Sequence, residues 1–256
     1  YGWRATALAS GLIGLVVGWP LASVVRSKPE DLGETIDGLP RVEKGAGQPA
    51  PPAARGFTAR EALRTSAFWL ISLGHGFALL VVLAINVHAI THIKNGLGYT
   101  LAEATLFFGL VTVGQGIGVM MGWIIGERFV KRKVAACCML MHASGLLMIT
   151  YAPGSIMLVA GVLTHGIAWG LRGPFMQAIR ADYFGRESIG TIMGLSAMIT
   201  VIGHISGPLI AGAFADWTGH YRTGFTVLAA LAAMGSMFFL TLRRPKRPHH
   251  EESASA

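Results

Sequence analysis

VAACCMLMHASGLLMITYAPGSIMLVAGVLTHGIAWGL, residues Val134–Leu171, carries no Asp, Glu, Lys or Arg. A helix needs about 20 apolar residues to cross the roughly 30 Å hydrocarbon core of a bilayer. The stretch is long enough for nearly two crossings, and Tyr151-Ala152-Pro153-Gly154-Ser155 breaks it between them. Pro and Gly there favour a turn over a continued helix. Outward on both sides the pattern repeats. Ala5–Val25, Ala67–Ile93, Ser188–Ala215 and Thr223–Leu242 are also free of charge. We therefore expect an all-α polytopic membrane protein, with seven helices at about 5–25, 67–93, 101–126, 134–152, 155–179, 189–214 and 223–242.

Composition agrees. Of 256 residues, 52% are hydrophobic and only 13% are charged. A soluble domain carries about 25% charged residues. The net charge of +8 lies outside the apolar segments. Its distribution predicts an orientation, because cytoplasmic loops collect Lys and Arg. With residues 26–66 in the cytoplasm, that side holds seventeen of the 21 basic residues, against Arg4, Lys94 and Arg222 opposite. Arg172 alone is left inside a span. The carboxy terminus is then cytoplasmic. The basic residues form no aromatic-interleaved patch, so nucleic acid is not an expected partner. Arg243, Arg244, Lys246 and Arg247 stand where anionic lipid headgroups would meet them.

Residues 26–66 are rich in Gly, Pro and Ala and read as a tether, with one short surface helix near Thr58–Thr65. The domain reading is 1–25 as the last helix of a first lobe, 26–66 as a central loop, 67–242 as a six-helix lobe and 243–256 as a tail. The chain opens on Tyr1 without the basic start of a signal peptide, so the first segment reads as a true span and upstream residues are expected. Cys137 and Cys138 are neighbours in an apolar segment without further ligands nearby, so no metal site is expected. His88 and His92 form a His-x-x-x-His pair, but the dense histidine clusters of membrane oxidases are missing. Neither an enzyme nor a cofactor is expected.

The third segment carries Gly114, Gly118, Gly122 and Gly126 at intervals of four, which leaves one bare stripe for close helix approach. Gly173-Pro174 and Gly207-Pro208 are matching pairs in the fifth and sixth segments, where a missing backbone donor bends a helix. These positions are the gating and packing candidates.

Gly122–Lys133 (GWIIGERFVKRK) resembles the short basic loop between the second and third helices of a lobe in the major facilitator superfamily. Glu127 stands at the acidic position, Arg128 at the basic one, and Lys131, Arg132 and Lys133 in the basic cluster; Trp123 and Val130 replace usual glycines. Three further stretches are similar to its bacterial monocarboxylate and oxalate–formate branch. They are Arg26–Gly33, then Ala181–Arg186 running into Gly190–Gly194, and Gly207-Pro208 with Gly212, Asp216, Gly219, Tyr221 and Phe225. The resemblance implies a major-facilitator-type bundle and secondary transport of a small organic anion by alternating access. Proton symport and anion exchange are both open as coupling modes, and about five further helices lie upstream. It also implies that the second, third, fifth and sixth segments line a central cavity.

Ionisable groups inside a bilayer are costly and mark function. His165, Trp169, Arg172 and Met176 share a face of the fifth segment, and Ser196, Thr200, His204 and Gly207 share one on the sixth. His75 and Asn86 face alike on the second, and Gln115 lies on the third. Arg172 offers a rigid donor fork to an anion. His204 or His165 suits a proton carrier, and Trp169 a wall that stacks on the solute. His75, Asn86 and Gln115 complete the substrate candidates. His142 has no polar companion on its own face and reads as structural. A different class of reading is a sensor that keeps the cavity and has lost turnover; a carrier of another small solute is the other alternative.

Overall fold

The computed structural model describes residues 3–24, 56–126, 128–185 and 188–246. The loop motif at 26–33, Glu127 and Arg186 lie outside the described residues. Two compact units divide the chain, Tyr1–Ala53 and Ala54–Ala256. The first contains α1 (Trp3–Val24). The second contains the short α2 (Ala59–Leu63), then α3 (Ser66–Thr91), α4 (Leu101–Ile125), α5 (Lys131–Thr150), α6 (Ser155–Phe184), α7 (Ile189–Thr218) and α8 (Arg222–Thr241). Among the described residues, all but α2 are long and apolar enough to cross a membrane. The chain is an all-α, multi-pass membrane protein.

Local chemistry sets the boundaries. Thr58 caps α2 and Thr100 caps α4, each reciprocated by a Glu three residues on, so both helices start with satisfied backbone donors. Gly219, at φ 78°, ends α7 in a left-handed conformation that costs glycine little. Past α3 the chain continues through a π-helical turn, His92–Gly96. Two helices outrun the expected lengths. α6 continues to Phe184 instead of stopping near 179, and α7 reaches Thr218 instead of 214.

Helices α4, α5 and α6 pack as one set and α3, α7 and α8 as another, with α5 against α8 joining them. The tightest crossings are made by glycines. A methyl group at Gly118 would fall on the carbonyl oxygen of Ile167, and one at Gly170 on that of Gln115. A methyl at Gly114 would sit 2.8 Å from the Leu163 oxygen. The α3–α7 crossing repeats the device, with Gly203 against the Gly76 carbonyl and Gly207 against that of Leu80. Lipid offers little hydrophobic drive between helices, so this close backbone contact carries the association. Large apolar side chains face outward, as Leu106, Ile156, Met198, Trp123 and Trp217 do. That surface suits hydrocarbon, with the two tryptophans near helix ends where aromatic rings favour the interface.

At one end of the bundle, polar contacts tie the helices. Lys131 at the start of α5 pairs with Asp182 near the end of α6 at 2.7 Å. Arg132 donates from Nη1 to the Leu242 carbonyl after α8. Phe57 stacks edge-on against Phe184 at 5.7 Å, which docks the segment before α2 on the end of α6.

Candidate functional site

The polar interior lies on α6 and where α6 looks across to α3 and α7. Arg172 is only 1% exposed and Arg180 only 4%. The sequence reading ends the fifth helix near 179 and leaves Arg180 in the cytoplasmic loop that follows. The structure places it within α6, because its side chain finds partners on three helices. Nε and Nη2 donate to the Ser196 hydroxyl of α7 at 3.2 and 2.8 Å. Nη2 also donates to Nδ1 of His75 on α3 at 3.0 Å. Nη1 donates back to the Met176 carbonyl at 3.0 Å. Ser72 of α3 donates to Ser196 at 2.8 Å. The signal for Arg180 was present in the sequence. It lies four residues beyond Met176 and eight beyond Arg172, on the same face of the helix.

Arg172 has a separate set of partners. Its Nε donates to Nε2 of His142 on α5 at 3.4 Å. Nδ1 of His142 meets Nδ1 of His165 at 3.1 Å. Both histidines are fully buried. The companions of His142 come from α6, a neighbouring helix that its own sequence face does not reveal. Among the described residues, Nη1 of Arg172 and Nε2 of His165 are buried without a hydrogen-bond partner.

The remaining candidates are spread around these two clusters. His75 lies within electrostatic reach of Arg172, Arg180 and His204. His204 is half-buried on α7. Ser196, Thr200 and Gly207 share its helix, but their common face is largely spent on packing against α3 at Ser72, Gly76 and Leu80. Trp169 is half-buried against the core. Gln115 is half-buried on α4, with its backbone against Gly170. Asn86 is half-buried on α3. Arg128 and Gly173 are exposed. Pro174 is also exposed and lines, with Gly122 and Lys131, a small cavity of about 190 Å³. The carbonyl of Pro208 accepts from His88 at 3.0 Å, and His92 bonds the Thr150 carbonyl at 3.2 Å. That pair ties helices together, and no cluster of three or more His, Cys, Asp or Glu gathers to hold a metal among the described residues.

What the site can do follows from its charge. Among the described residues neither buried guanidinium meets a carboxylate. A buried charge without a counter-charge is costly. The arrangement is a pair of buried cations on α6 whose charge, and the unmet Nη1 donor of Arg172, an acceptor-rich anion would complement.

The family model of the Major Facilitator Superfamily matches residues 73–256. The chain is 24% identical to the membrane sensor protein UhpC of Salmonella typhimurium (strain LT2), over 97% of this chain and 59% of that protein. It is 21% identical to a probable hexose phosphate transport protein of Chlamydia trachomatis, over 88% of this chain and 49% of that one. It is 25% identical to the corresponding protein of Chlamydia muridarum, over 93% and 56%. The chain thus spans between about half and three-fifths of these relatives' length. These similarities overturn the expected monocarboxylate and oxalate–formate branch. The residues that suggested it serve architecture here: Gly207 admits α3, Gly219 ends α7, and Phe225 is buried in the core. Residues of that kind recur wherever such helices must pack, whatever the solute. What remains is the broader assignment: the chain belongs to the Major Facilitator Superfamily.

Proposed function

We propose that the protein recognises a small phosphate-bearing sugar and carries it across a bacterial inner membrane by alternating access. In this reading residues 67–242 form the second lobe, residues 1–25 the last helix of a first lobe, and residues 26–66 and 243–256 lie in the cytoplasm. One observation carries it. Arg172 and Arg180 are buried two turns apart on α6 without a carboxylate among the described residues. A phosphate ester offers several strong acceptors to such groups. Similarity to proteins named for hexose phosphate transport supports the choice of anion. Arg180 with Ser72, Ser196 and His75 would receive it, Arg172 would add charge, and Trp169, Gln115, His204 and Asn86 would border the path.

The test uses the complete gene product in liposomes. Uptake of labelled glucose 6-phosphate is compared with uptake of glucose, for the native protein and for Arg180→Gln. The expected result is saturable uptake of the phosphate ester alone, with the variant at least about tenfold weaker, as loss of a charge-assisted contact implies. Folded protein that neither binds nor takes up the ester would overturn the proposal. An imposed pH gradient and preloaded inorganic phosphate separate proton symport from anion exchange. A sensor is the second reading, favoured by the similarity to UhpC. It expects specific binding of the ester with no uptake.

A further inference from the structure

The hydrogen bonds around His142 determine where its protons lie. A guanidinium only donates. Nε of Arg172 points to Nε2 of His142 at 3.4 Å, so that nitrogen presents a lone pair. A neutral His142 then carries its proton on Nδ1, the atom that faces Nδ1 of His165 at 3.1 Å. His142 is the donor of that contact and His165 the acceptor. His165 in turn carries its proton on Nε2, one of the two buried atoms left without a partner here. The other, Nη1 of Arg172, is also a donor. The chain Arg172–His142–His165 therefore has a single consistent order, with all its free ends donating. A second proton on His142 would set Nε2–H against the guanidinium N–H and break the first link.

We propose that His142 and His165 form a neutral, tautomer-locked pair that positions Arg172, holding the guanidinium by Nε and leaving its Nη groups to donate to the solute. The proposal deepens the phosphate reading and rests on it for the role of Arg172; the proton order rests on the geometry alone. His142 is a positioning residue, since it reaches the solute only through Arg172. His165 supports it from the far side and is not the proton carrier that its residue type suggests. The geometric reason for using a pair is depth. Gly145 and Gly161 bring α5 and α6 together so closely that a methyl on Gly145 would sit 2.9 Å from the His165 backbone nitrogen. Two imidazole rings at a centroid distance of 4.8 Å lie beside that crossing, and Nε2 of His142 meets Arg172 directly.

The experiment takes the full-length protein in nanodiscs with ¹⁵N-labelled histidine. Solid-state NMR reads His142 and His165, assigned by their loss in His142→Gln and His165→Gln. The expected spectrum has His142 protonated on Nδ1 and His165 on Nε2, both neutral. A His142 protonated on Nε2, or a charged ring in either residue, would overturn the proposal whether or not a sugar phosphate is recognised. Glucose 6-phosphate uptake, or binding if the protein only senses, provides the second readout. Gln at 142 can accept from Arg172 and donate to His165, so His142→Gln should keep KM or Kd within about threefold. His142→Leu should raise it by about tenfold, the worth of one hydrogen bond to a charged group, with kcat largely kept. The Leu substitution should add nothing in an Arg172→Gln background. Folded His142→Leu with unchanged KM or Kd would also overturn the proposal. If no ester is recognised by any variant, the phosphate reading fails and the NMR result alone decides the proton order.

Discussion

Ser196 occupies the point where three helices meet, and its hydroxyl oxygen accepts from both Nε and Nη2 of Arg180. Ser196→Ala would leave a 4%-exposed guanidinium with two donors unmet on that side. The expected cost is about 1–3 kcal/mol, the range for orphaning a buried partner, read as a lower thermal midpoint of the detergent-solubilised protein. Ser72→Ala removes only a donor to Ser196 and leaves Arg180 served, so it should cost less. Equal effects of the two substitutions would show that Ser196 is not the anchor of Arg180. The residue scale also shows what a single chain segment can and cannot reveal. Arg172 stood out because it interrupts an apolar face. Arg180 did not, because basic residues at a helix end are common and its partners lie 16 and 105 positions away.

Helix α4 makes its point by contrast among its own glycines. Gly118 touches the backbone of α6, whereas a methyl on Gly116 would meet nothing within 4 Å. Backbone cannot retreat as a flexible side chain can. Gly118→Ala should therefore force α4 and α6 apart, at roughly 1–3 kcal/mol or more for an overpacked contact. Gly116→Ala should be neutral or slightly stabilising through helix propensity. Thermal unfolding and monodispersity of the two variants check this, and equal tolerance would place the α4–α6 contact elsewhere. The stripe Gly114, Gly118, Gly122 was visible as spacing alone. That Gly114 meets Gly166 and Gly118 meets the backbone at Ile167 on α6 was not, since spacing describes one helix and a crossing needs two.

In the sequence, basic residues cluster in alternate connections between the long apolar helices. The proposed orientation places Arg128 and Arg243 in the cytoplasm and Lys94 and Arg222 outside. Single cysteines at these four positions, in a background lacking Cys137 and Cys138, should divide two and two in labelling by a membrane-impermeant maleimide in intact cells. Labelling at 94 and 222 only is the expected outcome; the reverse pattern would invert the topology. The amino-acid sequence alone set the all-α membrane class and the sites of the long apolar helices, because span length and hydrophobicity are local properties of a chain in a bilayer. It also determined that Arg172 lies within a span, because one charge in an apolar run is visible without a neighbour. The packing of the helices settled that Arg180 is buried, that His142 has partners, and that the arginines meet no carboxylate among the described residues. Each of those is a relation between helices distant in sequence, and the energy of a buried polar group depends on what stands opposite it.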